Sequence, residues 1–298
     1  MKSGGATFHR YFPVSRRDQS WGLFVTTAGE SRVPPGSAYP LAGHPDGYAF
    51  DWQHGRVLDH FALLYISSGC GRFESRFHGA TDLEAGHAFL LFPGVWHRYA
   101  PDPQTGWQEH WLGFDGEIAR RWLRRKFFSP RYPVLKMPAE DTVLTTFSRV
   151  MQAIRASRPA LQQILAGATA DLLGLFYSAQ QTPPLGEAPL ARVIESALGR
   201  MQAGFAAKLD LPGLARELGV SYSWFRRTFA AHTGLSPHQY LLELRLLRAR
   251  NLLAETTLPV KEIAAQTGFA NEHYFSRLFH QKLACTPSQW RKRGRRKA

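Results

Sequence analysis

Residues 214–240 read LARELGVSYSWFRRTFAAHTGLSPHQY, and residues 263–290 repeat the pattern as IAAQTGFANEHYFSRLFHQKLACTPSQW. Each copy has a short apolar stretch, a glycine, two phenylalanines four residues apart and a Ser-Pro or Thr-Pro step. A short helix, a glycine-containing turn and a second helix form the helix-turn-helix pattern, in which the second helix can enter a DNA groove. Two copies in one chain predict a sequence-specific DNA-binding protein.

The phenylalanine pairs predict which side of each second helix, the reading helix, faces the protein. Residues four apart lie on one helix face, so Phe225 with Phe229 and Phe275 with Phe279 should point inward. The opposite faces then carry the candidates for DNA contact, which are Tyr222, Ser223, Arg226 and Arg227 in the first copy and Glu272, His273, Ser276 and Arg277 in the second. Arginine can bond guanine through two donors, and serine or histidine suits base edges or phosphates. For any single residue, an ordinary polar helix face is the alternative.

The two predicted reading faces differ in composition. Adjacent arginines, Arg226 and Arg227, stand on the first, whereas the second offers Arg277 with His273 and Glu272. We therefore expect the first copy to carry more of the base reading. The helix predicted between the copies would span roughly 26 Å at ~1.5 Å per residue. With the short helices at its ends, it could place the reading helices about one DNA turn, ~34 Å, apart.

Positive charge is concentrated in the C-terminal part of the chain. The net charge is +14, and residues 185–298 hold 18 of the 37 Lys and Arg but only 8 of the 23 Asp and Glu. Such asymmetry favours a polyanionic partner, here double-stranded DNA. A basic surface that is merely solvated is the alternative, and charge alone does not separate the two.

Composition also divides the chain into two domains. Residues 181–189, QTPPLGEAP, contain three prolines and a glycine and are predicted to link a domain at 1–180 to a DNA-binding domain at 190–298. Short apolar runs from Trp21 to about Phe114 predict the strands of a barrel or sandwich. Two amphipathic helical patterns follow, and they either close the core of the β domain or form a dimer interface. The predicted fold class is α+β.

Several classes of protein are disfavoured. No apolar run approaches the ~20 residues needed to span a membrane. The N-terminus, MKSGG, leads into polar and aromatic residues instead of an apolar signal segment, so a cytoplasmic protein is expected. Cys70 and Cys285 fall in different predicted domains and are expected to be reduced thiols.

The segment from about Leu190 to Trp290 resembles the AraC/XylS family of bacterial transcription regulators. The residues that carry the resemblance are Leu214-Ala215, the Phe225/Phe229 pair, Gly234-x-Ser236-Pro237, Arg245-Leu246-x-x-Ala249, Leu252-Leu253, Ile263-Ala264, Gly268-Phe269, Tyr274-Phe275-Ser276-Arg277-x-Phe279 and Thr286-Pro287-Ser288. Ala284 departs from the pattern, since the family usually has glycine at that helix end. The resemblance implies an all-α domain with two helix-turn-helix motifs.

The N-terminal part looks like the cupin-type sensor barrel of the arabinose-regulator branch. The matching residues are Leu64-Tyr65-Ile66, Gly69-x-Gly71, Gly86, Phe92-Pro93-Gly94, His97-x-Tyr99 and Trp107-x-x-x-Trp111-x-x-Phe114. This resemblance implies a small effector inside the barrel, an N-terminal arm over it, and dimerisation through the helices that follow.

Five residues are candidates for binding that effector: Phe12 in the aromatic arm, His97, Tyr99, Glu109 and Trp111. In a strand at 107–114, Glu109 and Trp111 share a face. A tryptophan face beside a carboxylate suits a sugar, which stacks its C–H face and donates its hydroxyls. By resemblance, Tyr99 and Trp111 fall at the positions of the arabinose regulator's pocket aromatics, and Glu109 falls at a polar position. Aromatic filling of a barrel core is the alternative, and His97 can serve simply to shape a turn.

A cupin metalloenzyme is a distant alternative. Enzymatic cupins use this same histidine together with a His-x-His pair and a carboxylate, because one imidazole cannot hold a catalytic metal. After Gly71 the chain reads RFESRFH, which lacks that pair. We therefore predict no catalytic residue, no metal and no cofactor.

These patterns predict a transcription regulator controlled by a small-molecule effector, a carbohydrate by the chemistry of Glu109 and Trp111. A homodimer, contact with RNA polymerase and activation more than repression are expected with it. The main alternative is an effector-independent DNA-binding protein whose barrel only dimerises.

Overall fold

The computed structural model describes residues 7–41, 51–137, 140–181 and 187–295, and the chain divides into two compact units, Met1–Thr182 and Pro183–Ala298. The first is rich in β-sheet and the second is helical. The predicted α+β fold class, with a sheet-rich N-terminal part and an all-α C-terminal part, is confirmed.

In its described residues, the N-terminal unit has a nine-stranded antiparallel sheet and four helices, the two longest of which follow the last strand. Its elements in chain order are β1 (Phe8–Tyr11), α1 (Arg16–Gln19), β2 (Phe24–Val33), β3 (Arg56–Val57), β4 (Phe61–Ser75), β5 (Gly79–Glu84), β6 (His87–Leu91), β7 (Trp96–Pro101), β8 (Trp107–Asp115), α2 (Glu117–Arg124), β9 (Val134–Lys136), α3 (Glu140–Arg155) and α4 (Leu161–Gln181). Strands pair in the order β1-β2-β8-β4-β6-β9. The long β4 also pairs with β5 and β7 through its second half, so it joins both parts of the sheet.

Side chains alternate between two cores along the strands, as period-2 geometry requires. On β8, Trp107 belongs to an inner cluster that also receives residues from β2, β4, β5, β6 and β7, so the sheet closes around it. Leu112 and Phe114 belong to the outer cluster, where the sheet packs on α3 and α4. The strand at 107–114 and its two-sided alternation, predicted from the sequence, are confirmed.

Helices α3 and α4 fall where amphipathic patterns predicted them, and most of their apolar residues are buried against the sheet. Phe147 is 1% exposed and stacks on Tyr65 with 6.4 Å between ring centroids. Ile164 differs from the prediction: it is 40% exposed, because it lies on the side of α4 away from this core. These helices therefore close the core of the sheet.

The C-terminal unit consists of seven helices in its described part. They are α5 (Glu187–Gly204), α6 (Leu211–Glu217), α7 (Tyr222–Thr233), α8 (Pro237–Glu255), α9 (Val260–Gln266), α10 (Glu272–Leu283) and α11 (Pro287–Arg295). The boundary between the units falls within the linker predicted at 181–189, which overlaps the last residue of α4, Gln181, and the start of α5 at Glu187. Pro189 lies in the first turn of α5, where a missing backbone N–H costs no helical bond. Residues 182–186 lie outside the described residues.

Helix ends in this unit are set by polar caps. Ser221 accepts from the Trp224 backbone N–H, Ser236 forms a capping box with Gln239, and Asn271 accepts from two backbone N–H groups. Asp210 stands at the N-cap of α6, but its side chain makes no capping hydrogen bond and lies 3.6 Å from Arg216 in an ion pair. Two hydrophobic clusters, one for each helix-turn-helix, share the long helix α8.

Both cysteines are free thiols, and Cys285 is buried. Within the described residues, no helix has the length and apolar character that a membrane crossing requires.

Candidate DNA-binding faces and ligand pocket

The first reading helix, α7, is held by its phenylalanines. Phe225 and Phe229 are fully buried, and their ring centroids lie 5.4 Å apart. Ser223, Arg226 and Arg227 are exposed on the other side of the helix. Tyr222 is half-buried with its ring 6.4 Å from that of Phe225, so part of its surface supports the core.

The second reading helix, α10, repeats the anchoring. Phe275 and Phe279 are fully buried with ring centroids 5.5 Å apart. His273 and Arg277 are exposed, whereas Glu272 and Ser276 are half-buried. The eight candidates for DNA contact thus remain accessible on the two helices, and their role in binding stays a prediction.

The interior of the barrel holds a cavity of about 50 Å³. Tyr99, Glu109 and Trp111, three of the five predicted effector residues, line it together. The other lining residues are Tyr11, Thr27, Tyr39, Pro40, Arg56, Leu58, His60, Ala62 and Leu64. Aromatic, apolar and charged side chains therefore converge on one cavity.

A polar network occupies one side of the cavity. The Tyr39 hydroxyl donates to Glu109 Oε2 at 2.9 Å. Arg56 donates through Nη2 to the Tyr99 hydroxyl and through Nε to His97 Nε2 at 3.4 Å. His97 Nδ1 in turn donates to the Val95 carbonyl at 2.9 Å, which leaves Nε2 as the acceptor. The network thus joins β3, β7, β8 and the segment before residue 41.

Burial controls the protonation of these groups. It raises the pKa of Glu109 to about 7, although the Tyr39 hydrogen bond and Arg56 act in the opposite direction. It also raises the pKa of Tyr99 to about 12 and lowers that of His97 to about 4. His97 is therefore neutral at pH 7, whereas Glu109 divides between its two forms.

His97 and Phe12 do not line the cavity. His97 is 1% exposed and stacks behind Tyr99, with 6.2 Å between centroids and 12° between planes. It orients Tyr99 and Arg56 from outside the pocket. Phe12 packs against the outer cluster between the sheet and the helices, because strand alternation sends its neighbour Tyr11 toward the cavity instead.

Tyr11, Tyr39 and Arg56 are pocket residues that sequence reasoning missed. Tyr39 lies in an irregular stretch, and β3, which carries Arg56, is two residues long, so neither has a periodic pattern. The aromatic cluster at residues 8–12 was a signal for the arm, but it did not identify which ring faces inward. Across the described ranges, no group of three or more His, Cys, Asp or Glu is placed to hold a metal ion.

Comparison with known families assigns both parts of the chain. A model described as AraC-like ligand binding domain matches residues 35–172, and a model described as helix-turn-helix domain matches residues 214–293. The first includes all the cavity-lining residues except Tyr11 and Thr27, and the second covers both reading helices.

Named relatives align with most of the chain. The chain is 24% identical over 247 residues to the raffinose operon transcriptional regulatory protein RafR of Pediococcus pentosaceus, covering 82% of this chain and 88% of that protein. It is 23% identical over 242 residues to the lactose operon transcription activator of Staphylococcus xylosus, covering 79% and 85%. Both relatives are named as regulators of transcription.

A solved structure matches the C-terminal part. It is a transcriptional regulator of the AraC-type DNA-binding domain group from Chromobacterium violaceum, with 31% identity, a TM-score of 0.33, and coverage of 35% of this chain and 93% of that one. With a sensor-domain match, a helix-turn-helix match and relatives along most of its length, the chain belongs to the AraC family of transcription regulators.

Proposed function

We propose that this protein is a sequence-specific DNA-binding transcription regulator whose activity is controlled by a sugar bound inside the barrel. The observation that carries the proposal is the cavity in which Glu109, Arg56, Trp111 and Tyr99 converge, in a chain that also carries two reading helices. A relative named for the raffinose operon and another named for the lactose operon agree with a sugar effector.

The lining residues suit a polyhydroxylated ligand. Trp111 can stack on the C–H face of a sugar ring, and the ionised Glu109 can accept from two hydroxyls. Arg56 and Tyr99 supply donors on the same side of the cavity. In this role Glu109, Trp111 and Tyr99 contact the ligand, while His97 holds Arg56 and Tyr99 in position.

Sugar entry requires a rearrangement of the pocket. A cavity of about 50 Å³ is far below the roughly 300–1,000 Å³ typical of ligand sites. The ring of Tyr39 takes up part of this region, edge-on to Trp107 at 5.6 Å and hydrogen-bonded to Glu109. We therefore expect Tyr39 to give way, and Glu109 to exchange the Tyr39 hydroxyl for hydroxyls of the sugar.

The arm strand β1 offers a route from the pocket to helix α3. Tyr11 lines the cavity, and Arg10 Nη1 donates to the Ile154 carbonyl at 3.4 Å. Arg155 lies over the Phe8 ring at 5.0 Å and donates to Glu30 at 2.9 Å. A ligand that moves Tyr11 therefore also changes the contacts at the end of α3.

The regulator acts as a cytoplasmic homodimer that binds two promoter half-sites. Its interface uses the sides of α3 and α4 that point away from the sheet, where Ile164 is 40% exposed, and the sugar changes how the two DNA-binding domains engage their half-sites. The sugar-bound arrangement favours contact with RNA polymerase, hence activation, which agrees with the relative named as an activator. The eight outward residues of α7 and α10 contact the DNA.

An effector-independent DNA-binding protein is the second candidate. The small cavity, partly filled by Tyr39, is the observation that favours it, because a barrel that only dimerises needs no open pocket.

Thermal denaturation of the full chain against mono-, di- and trisaccharides separates the two candidates. A sugar at about 100 times its Kd stabilises the fold by about 2.7 kcal/mol. We expect a clear rise in Tm with one sugar or sugar class, abolished by Glu109→Gln and by Trp111→Ala. The matched control is Glu84→Gln, an exposed carboxylate on β5. No Tm rise with any sugar, or a rise that survives both pocket variants, contradicts the sensor.

The pH dependence of binding gives an independent check. Tyr39, Tyr99 and Arg56 face Glu109, whose pKa is raised by burial to about 7. Burial therefore favours the protonated Glu109 carboxyl. The stability that this protonated group gives the folded state is complete below pH 4.5 and is lost as pH rises through about 7. Because sugar hydroxyls donate to the ionised form, we expect sugar affinity to rise from pH 6 to 8, and Glu109→Gln to flatten that rise. A fall in wild-type affinity over this range contradicts the assigned role.

A further inference from the structure

The long helix α8 serves both helix-turn-helix modules. Leu241, near its start, belongs to the hydrophobic cluster of the first module, and Leu246, Ala249 and Leu253 belong to that of the second. Arg245 lies at the point where the helix passes from one cluster to the other. A side chain here can contact both modules.

Arg245 is bound to the backbone of the first module. Its Nε donates to the Phe205 carbonyl at 2.8 Å, and its Nη2 donates to the Ala207 carbonyl at 2.9 Å. Both carbonyls belong to the turn that follows α5. The planar guanidinium with its fixed donors is suited to hold two carbonyls at once, which a lysine ammonium cannot do with the same geometry.

The same guanidinium contacts the turn of the second module. Its central carbon lies 5.9 Å from the centroid of the Phe269 ring, which is 5% exposed between α9 and α10. Phe269 packs in turn on Phe275 of the reading helix, with 5.0 Å between centroids. Arg245 thus connects the turn after α5 with the anchor of α10.

Gly268 makes this contact possible. A Cβ at this position would lie 2.7 Å from the Ala206 carbonyl and 2.9 Å from Arg245 Nε, closer than real Cβ contacts allow. Its counterpart in the first module, Gly219, has nearly the same φ, +73° against +80°, but a Cβ there would meet no described atom within 4 Å. The glycine of the second module is therefore packed against the first module, in addition to forming its own turn.

We propose that Arg245, seated against Gly268, is the positioning residue that fixes the two reading helices relative to each other, and so sets the spacing of the two DNA subsites that one chain accepts. The inference rests on the proposed function in one respect, since both modules must read DNA. Arg245 itself contacts no base in this role. It restricts which spacing the reading helices can meet without distortion.

The test is a spacing series with the full chain. A duplex is first selected from random DNA by the wild type, and the two subsites are then moved apart or together by one and two base pairs. We expect the wild type to bind the duplex with its selected spacing more tightly than the duplexes with altered spacing. In Arg245→Met the ratio of these affinities should fall about tenfold, within the range of coupling between sites. Arg248→Met is the matched control, because Arg248 is exposed on the same helix and the loss of charge is identical. We expect it to lower affinity at every spacing and to keep the preference.

The possible results distinguish failure of the DNA-binding function from failure of the role of Arg245. If the wild type selects no sequence, the proposed function fails. If the wild type selects a sequence and Arg245→Met keeps the same spacing preference as Arg248→Met, the positioning role of Arg245 is refuted and the DNA-binding function stands. Should Arg245→Met lose its folded circular dichroism, the measurement passes to Arg245→Lys, which retains the charge and one donor. An unchanged spacing preference in that folded variant equally overturns the proposal.

Discussion

The two helix-turn-helix modules have the same buried anchor and different exposed faces. The phenylalanine pairs meet at 5.4 Å and 61° in the first module and at 5.5 Å and 65° in the second, and all four rings are fully buried. Outside this anchor the first module presents two adjacent exposed arginines. In the second, Arg277 lies over the ring of its neighbour Tyr274 at 5.8 Å. Packing fixes the buried anchor in both copies, whereas the exposed faces are free to differ.

Removal of an anchor ring should give the largest effect, and the same effect in both modules. Phe225→Ala and Phe275→Ala should each lower the free energy of unfolding by about 3–5 kcal/mol, because each removes a fully buried ring from a packed cluster. Urea denaturation followed by circular dichroism measures the loss. Leu247→Ala is the control, since Leu247 is 50% exposed and should cost little. A loss confined to one module would show that the scaffolds are not equivalent.

The exposed faces should respond unequally. Arg226→Ala and Arg277→Ala should each lower the free energy of binding to the specific site by about 1–3 kcal/mol. The loss should be larger for Arg226, because the Arg277 side chain lies over the ring of Tyr274. Fluorescence anisotropy on the specific duplex and on random DNA gives both numbers. Equal loss on both duplexes, or a larger loss from Arg277→Ala, would contradict base reading led by the first module.

The helix ends give the smallest effects, with opposite signs. Gly234 and Ala284 both end their reading helices in the left-handed region, with φ of +74° and +54°. A left-handed residue with a Cβ costs about 1–2 kcal/mol. Gly234→Ala should therefore destabilise the fold by about 1 kcal/mol, and Ala284→Gly should stabilise it by a similar amount. Thermal melts of the two variants test this, and a destabilising Ala284→Gly would show that the second module tolerates its alanine for another reason.

Local periodicity explains why the helical part was predictable from sequence. Spacing of four between phenylalanines determines which helix face is buried, and a serine or asparagine before each reading helix sets where it begins. In the barrel, strand alternation likewise placed Glu109 and Trp111 on one face. These inferences need only neighbours within a few residues.

The remaining pocket residues depend on contacts between distant parts of the chain. Tyr39 meets Glu109 across 70 positions, and Arg56 meets Tyr99 across 43. No sequence pattern near Tyr39 or Arg56 indicates those partners. Phe12 lies outside the cavity for a related reason: the side of the sheet on which an arm residue falls depends on the register of β1 against β2, which pairs Tyr11 with Thr27.

Selection of bound DNA by the full chain, with and without the sugar that raises its Tm, tests the central claim most directly. The proposed regulator should enrich two blocks of sequence about one helical turn apart, and the sugar should change their affinity or spacing. The double variant Arg226→Ala, Arg227→Ala should erase one block, and Arg277→Ala should only weaken the other. No enriched sequence, or blocks that survive the double variant unchanged, would contradict DNA reading led by the first module.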